Sequence, residues 1–379
     1  MARLVLDVTQ GMVSGARVLD HRSWQVSGLF RHKTVAEAEH LAGALLRLCA
    51  EAQKIAVRVA CAAAQDSCTE LTEEQAFPLR CALVRDHAWY LLLTLPKTCG
   101  LPPATQPLKA VLEQQVPAAL HQILETLLQE ALLGLPAAQW LELSVPAFWH
   151  WYEAQNTRGA ALLADISREH PALVQASPGF DAPPGIPCHG MDPGAGMHGP
   201  DPEGLYLLPD LAHLDSAQLL AWVRAIPGAL SPRQSLRWQG RPVQTGALVR
   251  QWTHPLVRCW RESRGAGCGA RVLARLVELA QLGTLLTTPF MPVVRAWNPG
   301  PGHGLAVVET ARGILLHEVH WAQGLIQEYK IISPTDWNLN AGGALSGALC
   351  AAPAGREDVQ RIVQSFDPCL ELALEFVHA

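Results

Sequence analysis

The chain has 379 residues, a net charge of −5 and a charged fraction of 17%. The length allows one large or two ordinary domains with a sizeable core. No basic tract lies beside aromatic residues, which argues against a nucleic-acid-binding surface. No stretch reaches the ~20 apolar residues of a membrane span, and the N-terminal "MARLVLDVTQG" shows no signal-peptide pattern. We therefore expect a soluble, cytoplasmic protein.

Helical periodicity dominates the chain up to about residue 290. Apolar residues recur at i, i+3, i+4 and i+7 in five segments, as they do on the buried face of an amphipathic helix. These segments are residues 35–60, 73–95, 107–143, 214–226 and 269–286.

Two other stretches differ in composition. Residues 176–204 are dense in Pro and Gly, which predicts a long surface loop. From residue 305 the sequence "LAVVETARGILLHEVHWAQGLIQEYKII" is rich in β-branched residues and punctuated by Gly, which predicts a β-hairpin or meander. The fold class we predict is α+β, mainly helical. We assign one domain, 1–379, with an N-terminal half (1–175), the loop, and a C-terminal half (205–379).

The ten cysteines form no Cys-x-x-Cys pair and no zinc-ribbon spacing. In a reducing compartment they are expected to be free thiols, most of them small buried hydrophobes. The 176–204 loop also contains Cys188, but nothing holds its soft ligands at a fixed spacing, so a surface loop without metal is favoured. His317 and His320 are three apart in a predicted strand and therefore lie on opposite faces, which argues against a shared metal.

The last fifteen residues are "SFDPCLELALEFVHA". Pro368 interrupts any helix that approaches it, and the apolar run behind it predicts a short buried helix. Cys369 then lies in the first turn, where the helix dipole favours a thiolate. A plain buried cysteine is the alternative, and local sequence favours it.

The C-terminal third resembles the large subunits of [NiFe]-hydrogenases. That family has a Glu-Ala-Pro-Arg-Gly turn, a hairpin with a His, a Pro-Thr-Thr-Trp-Asn segment and a terminal Ser-Phe-Asp-Pro-Cys-x-x-Cys-x-x-His. The upstream segments "VQTGALVR", "GLFRHKTVAEAEHLAGALL", "VACAAAQ" and "RDHAWYLLLTL" match the family more loosely. The matching residues are Glu309, Arg312, Gly313, His317, Pro334, Thr335, Trp337, Asn338 and Ser365 to Cys369.

The departures from the family pattern concern its metal ligands. In the family, two Cys-x-x-Cys pairs hold nickel and iron, whereas here Cys61 is followed at the third position by Ala64 and Cys369 by Leu372. Glu375 stands where the family has the His that marks maturation proteolysis. The resemblance therefore implies that nickel lacks its four thiolates, that hydrogen is not split, and that no nickel-dependent cleavage occurs.

The residues that still match the family pattern imply a site for one iron ion. The resemblance implies that Cys61 and Cys369 converge and hold an Fe(CN)2CO unit transiently, without nickel. Arg312 and Thr335 would donate hydrogen bonds to the diatomic ligands, in a pocket that Pro334 and Glu309 complete. Soft thiolates suit such iron, and a planar guanidinium is a strong donor to an anionic ligand.

The implied function is that of accessory proteins of the HupK/HoxV type, which are non-catalytic relatives of the large subunit. They are thought to scaffold assembly of the iron unit. The expected partners are maturation chaperones of the HypC/HypD type, with the hydrogenase large subunit as a further candidate. Two alternatives stay open: a metal-free relative that only binds partners, and an oxidoreductase with an atypical metal site.

Overall fold

The computed structural model describes residues 2–19, 26–114, 116–168, 216–226, 236–238, 242–286, 294–350 and 352–378. The predicted 176–204 loop lies outside these residues. Helices account for most of the described chain. In chain order they are α1 Val35–Leu45, α2 Ala50–Ala64, α3 Glu73–Trp89, α4 Leu95–Thr98, α5 Thr105–Glu113, α6 Pro117–Leu127, α7 Ala137–Leu141, α8 Val145–Ala154, α9 Arg158–Ile166, α10 Ser216–Ala225, α11 Ala247–Arg250, α12 Pro255–Arg264, α13 Cys268–Leu285, α14 Pro334–Leu339, α15 Ala344–Leu349 and α16 Arg356–Ser365.

The helices that periodicity predicts are present, but with interruptions. The 35–60 segment divides at residues 46–49 into α1 and α2, and a 3-10 turn at Arg47–Cys49 connects them. Thr34 begins α1 with a capping box, as Thr72 does for α3. The break matters because it places Cys49 directly before the first turn of α2.

The strands form two sheets in the described chain. The first has the order β2-β1-β7 and the second is an antiparallel meander in the order β3-β4-β5-β6. The meander confirms the strands predicted from residue 305. The strands are β1 Ala2–Thr9, β2 Met12–Leu19, β3 Val294–Gly300, β4 His303–Thr310, β5 Gly313–Ala322, β6 Leu325–Ile332 and β7 Leu372–His378.

The C-terminal segment is a strand, not the predicted helix. β7 pairs in parallel with β1, with Leu4 opposite Leu374. Leu372, Leu374 and Phe376 pack against the core while Glu375 between them is exposed, so burial alternates with period two. The edge of β1 that β2 leaves open is therefore filled from the far end of the chain, and Cys369 lies in the turn before β7.

Alternation also explains how the meander is buried on both faces. On β4, Ala306 and Val308 pack with α2 in one apolar cluster, whereas Leu305 and Val307 pack with α10 and Trp337 in another. The largest cluster joins the first sheet to helices from residues 81–166, 247–286 and 339–366. Residues on both sides of the 176–204 segment thus share one core; the assignment of a single domain 1–379 stays a prediction.

Candidate metal-fragment site

A cavity of about 430 Å³ lies where α1 gives way to α2, next to the start of α14 and the turn before β7. This volume is within the roughly 300–1,000 Å³ typical of small-ligand sites. Its lining brings together residues from both ends of the chain: Ala2, Leu45 to Cys49, Gln53, Thr310, Arg312, Ile331, Ser333 to Asp336, and Cys369 to Glu371.

Cys369 reaches this cavity through the Asp-Pro-Cys turn that follows α16. Asp367 adopts a left-handed conformation (φ 48°), which Asp tolerates better than most residues and which reverses the chain before Pro368. The Thr335 hydroxyl lies 2.8 Å from the Cys369 sulfur and accepts the Cys369 backbone N–H at 3.3 Å. With its oxygen accepting that N–H, the hydroxyl can donate its hydrogen to the sulfur.

Thr335 and Pro334 are held by the cap of α14. Ser333 and Asp336 form a reciprocal capping box, and Pro334 occupies the first helical turn, where its missing N–H costs nothing. Both Pro334 and Thr335 line the cavity.

The second thiol of the cavity is Cys49, and the structure does not bring Cys61 there. Cys61 lies twelve residues further along α2, roughly 18 Å along the helix axis. Its side chain is fully buried between α2 and the meander, in the cluster that contains Val308. The candidate thiol pair is therefore corrected to Cys49 and Cys369.

A local signal for Cys49 existed in the sequence. It stands in "RLCAEAQ" and is followed at the third position by Ala52, just as Cys369 is followed by Leu372. Both cavity thiols thus occupy the first position of a Cys-x-x-Cys pattern whose second position is apolar.

Both cavity thiols have pKa values above the ordinary value of a cysteine. Burial, reinforced by the neighbouring Cys369, raises the pKa of Cys49 to about 12. Burial also raises the pKa of Cys369, although the Thr335 hydroxyl and the Arg312 guanidinium oppose the rise. A soft metal that binds here has to displace the thiol protons.

Arg312 lines the cavity and is almost fully buried. Its Nη1 donates to Asp86 at 3.0 Å and to the Leu48 carbonyl at 3.4 Å, and its Nε lies 3.1 Å from Asp367. No hydrogen bond joins the remaining nitrogen, Nη2, to any residue of the described chain. The guanidinium is thus held by two carboxylates and a carbonyl through Nη1 and Nε, and Nη2 remains as a further donor.

Asp86, on α3, is a site residue that sequence reasoning did not identify. Burial raises its pKa from 3.8 to about 6, and the Arg312 guanidinium limits the rise. Asp367 is shared between Arg312 and Arg275, whose Nη1 lies 3.2 Å away. Two arginines and two aspartates therefore form one buried network beneath the cavity.

Glu309 does not line the cavity, contrary to expectation. Its carboxylate lies 3.0 Å from Arg250, which also pairs with Glu278. On β4 the next residue, Thr310, lines the cavity, and successive side chains of a strand point to opposite faces. Glu309 therefore belongs to a separate buried ion network that continues to His87, 2.9 Å from Glu278.

The two predicted strand histidines do lie in different surroundings. His317 is buried and contacts Gln53 and Tyr329, whereas His320 stacks on His303 with ring centroids 4.5 Å apart. Among the described residues, no group of three or more His, Cys, Asp or Glu is arranged to hold a metal ion.

Comparison with solved structures establishes the fold. A Ni-Fe-Se hydrogenase from D. vulgaris Hildenborough in the reduced state superposes over 96% of this chain and 94% of its own, with a TM-score of 0.56 and 16% identity. The profile of the nickel-dependent hydrogenase family matches residues 263–375. The chain thus has the fold of a [NiFe]-hydrogenase large subunit, around a cavity with two thiols.

The chain is also similar to curated hydrogenase expression/formation proteins named HupK and HoxV. HupK of Bradyrhizobium diazoefficiens is 39% identical over 31% of this chain, and HoxV of Cupriavidus necator 32% identical over 45%. These two matches span 35% and 48% of the relatives' own lengths. HupK of Rhizobium leguminosarum bv. viciae is 25% identical over 96% of this chain and 93% of its own. No helix in the described part of the chain is long and apolar enough to cross a membrane.

Proposed function

We propose that this protein is an accessory factor of [NiFe]-hydrogenase maturation that transiently holds the Fe(CN)2CO unit between Cys49 and Cys369. The observation that carries this is the convergence of two thiols from opposite ends of the chain on one cavity that Arg312 also lines. The names of the relatives support a role in hydrogenase formation. No catalytic role is proposed.

The donor set suits this cargo in kind and in number. Two thiolates are soft ligands appropriate to iron, and the remaining coordination positions are filled by the diatomic ligands that the cargo brings. The Arg312 guanidinium supplies a hydrogen-bond donor beside those positions, and the Thr335 hydroxyl, which also lines the cavity, can donate either to a diatomic ligand or to the Cys369 sulfur. A buried, charge-assisted donor from a fixed guanidinium is well suited to an anionic cyanide.

Infrared spectroscopy on the chain purified anaerobically from a hydrogenase-producing host tests the proposal. The CN and CO stretching bands should be present in wild type and absent from Cys49→Ser and Cys369→Ser. Cys61→Ser is the matched control on the same helix and should keep the bands. If no band occurs in wild type, or if Cys61→Ser alone abolishes them, this site is refuted and a metal-free partner-binding function is favoured.

The cavity mouth offers a docking surface for the partners that we propose, chaperones of the HypC/HypD type and the hydrogenase large subunit. Leu45 and Leu48 line the cavity and are 46% and 50% exposed, and neighbouring exposed apolar side chains are a feature of protein-binding surfaces. Leu48→Glu should weaken co-purification with purified partners at least tenfold. Val116→Glu, at an equally exposed position that does not line the cavity, should not, and equal effects of both changes would refute a docking role for the mouth.

A further inference from the structure

Four side chains form a continuous hydrogen-bonded row that starts at the cavity and ends inside the meander. The Gln53 amide nitrogen lies 3.3 Å from the Cys49 sulfur, and its oxygen lies 2.9 Å from Nε2 of His317. Nδ1 of His317 lies 2.7 Å from the Tyr329 hydroxyl. Gln53, His317 and Tyr329 are all buried. The row links one turn of α2 to strands β5 and β6.

The chemistry of the four side chains determines in which direction the hydrogen bonds of the row are donated. Burial lowers the pKa of His317 to about 3, so the imidazole is neutral, with one donor and one acceptor nitrogen. Among the described residues the Tyr329 hydroxyl has no other hydrogen-bond partner, so its O–H donates to Nδ1. Nε2 then carries the hydrogen and donates to the Gln53 oxygen, which leaves the amide N–H facing Cys49.

The opposite direction would leave a buried donor unsatisfied. If the Gln53 amide were flipped, its N–H would donate to Nε2 and Nδ1–H would donate to the Tyr329 oxygen. The Tyr329 O–H would then lack an acceptor in the described chain, and an unsatisfied buried donor is unfavourable because it has lost its hydrogen bonds to water. The Gln53 amide is therefore held in one orientation by Tyr329, which acts on it through His317.

We propose that Gln53 is a positioning residue for Cys49, with its N–H directed at the sulfur by His317 and Tyr329. This inference rests on the proposed function, because it concerns how the cavity binds a soft metal. A thiolate bound to a metal accepts hydrogen bonds but cannot donate them, so a fixed N–H complements the loaded state. Groups that orient a metal ligand in this way typically change metal affinity 10–100-fold.

The test uses the full-length, metal-free protein under anaerobic conditions, with Co²⁺ as the probe. Thiolate-to-cobalt charge-transfer absorption reports both the affinity and the electronic state of the sulfur ligands. Gln53→Leu should weaken Co²⁺ binding 10–100-fold. It should also move the charge-transfer band to lower energy, because a sulfur that loses a hydrogen bond gives up its electrons more readily. Tyr329→Phe should cause smaller changes in the same directions.

Two matched variants control for structural damage. Gln65→Leu alters the same residue type on the C-terminal cap of α2, where the side chain bonds the Cys61 carbonyl. Tyr152→Phe alters a tyrosine in the aromatic cluster around Trp260, away from the cavity. Neither variant should change the affinity for Co²⁺ or the energy of the charge-transfer band.

The outcomes separate this inference from the proposed function. If Cys49→Ser and Cys369→Ser each remove charge-transfer intensity while Gln53→Leu changes neither affinity nor band energy, the positioning role is refuted and the thiol site stands. A Gln53→Leu protein that binds more weakly with an unchanged band and a lower free energy of unfolding shows a merely structural residue, and this also refutes the role. If neither Cys→Ser change affects the absorption, the thiol site itself is refuted.

Discussion

The buried network beneath the cavity gives a quantitative prediction for Arg312→Met. The side chain of Arg312 is 7% exposed and lies within 3.1 Å of carboxylate oxygens of Asp86 and Asp367. Removing one partner of a buried ion pair usually costs about 3–5 kcal/mol, because the remaining charge is left uncompensated. Asp367 keeps Arg275 as a partner, so the larger part of the cost falls on Asp86. We expect Arg312→Met to lower the free energy of unfolding by about 3–5 kcal/mol at pH 8.

The pH dependence of this cost follows from the pKa of Asp86. In wild type that pKa rises from 3.8 to about 6 on folding. A carboxyl with a raised pKa takes up protons on folding, so its contribution favours the fold below pH 3.8 and is lost as the pH rises through 6. Without the guanidinium the pKa of Asp86 rises further, and the variant takes up its proton at a higher pH. The destabilisation should therefore shrink by about 1 kcal/mol or more between pH 8 and pH 5.5, since one pKa unit corresponds to about 1.4 kcal/mol.

Urea unfolding followed by far-UV circular dichroism at both pH values measures these quantities. Adding Asp86→Asn to Arg312→Met removes the unpaired carboxylate and should recover roughly 1–3 kcal/mol, as expected for directly coupled residues. Arg31→Met is the control, because Arg31 is 57% exposed and pairs with Glu328 only at 3.8 Å. That change should cost at most about 1 kcal/mol. A cost for Arg312→Met below about 1 kcal/mol at pH 8, or an equal cost at both pH values, would refute the reasoning.

Two further predictions test the packing that builds the site. A Cβ at Gly304 would overlap the Ala60 carbonyl oxygen, so Gly304→Ala should push α2 off β4 and lower the free energy of unfolding by about 3 kcal/mol or more, as measured by urea unfolding. Gly28→Ala, with nothing within 4 Å, should cost under about 1 kcal/mol, and similar costs would contradict the contact between α2 and β4. Leu374→Asp should cost about 2–4 kcal/mol because it buries a charge on the core face of β7. Glu375→Ala on the exposed face should cost under about 1 kcal/mol, and the reverse order would contradict the strand register.

Part of the site could be predicted from the sequence because its signals are local. The meander follows from β-branched runs and Gly punctuation. The order of the matched motifs then implied that Thr335, Arg312 and Cys369 share a pocket, and all three line the cavity. These residues are held by turns and helix caps, which can be predicted from a few neighbouring residues.

The remaining errors concern features that only tertiary packing decides. Cys49 directly precedes α2 and Cys61 lies within it. Which of the two faces the cavity depends on how that helix packs against the meander. The composition of the apolar run after Pro368 predicts a helix, but the run pairs with the open edge of β1 as a parallel strand. Glu309 matches the family motif, but strand alternation turns it towards Arg250. In each case the local pattern allowed two structures, and a distant partner selected one.

The third residue after each cavity cysteine is apolar and packs in a hydrophobic cluster. Ala52 is 3% exposed and packs in the cluster between α2 and the meander, whereas Leu372 packs against the cluster beneath the first sheet. Neither lines the cavity. These apolar contacts help to hold α2 and β7 in place, and those two elements adjoin Cys49 and Cys369. The third residue after each cavity thiol therefore contributes to the packing that presents the thiol.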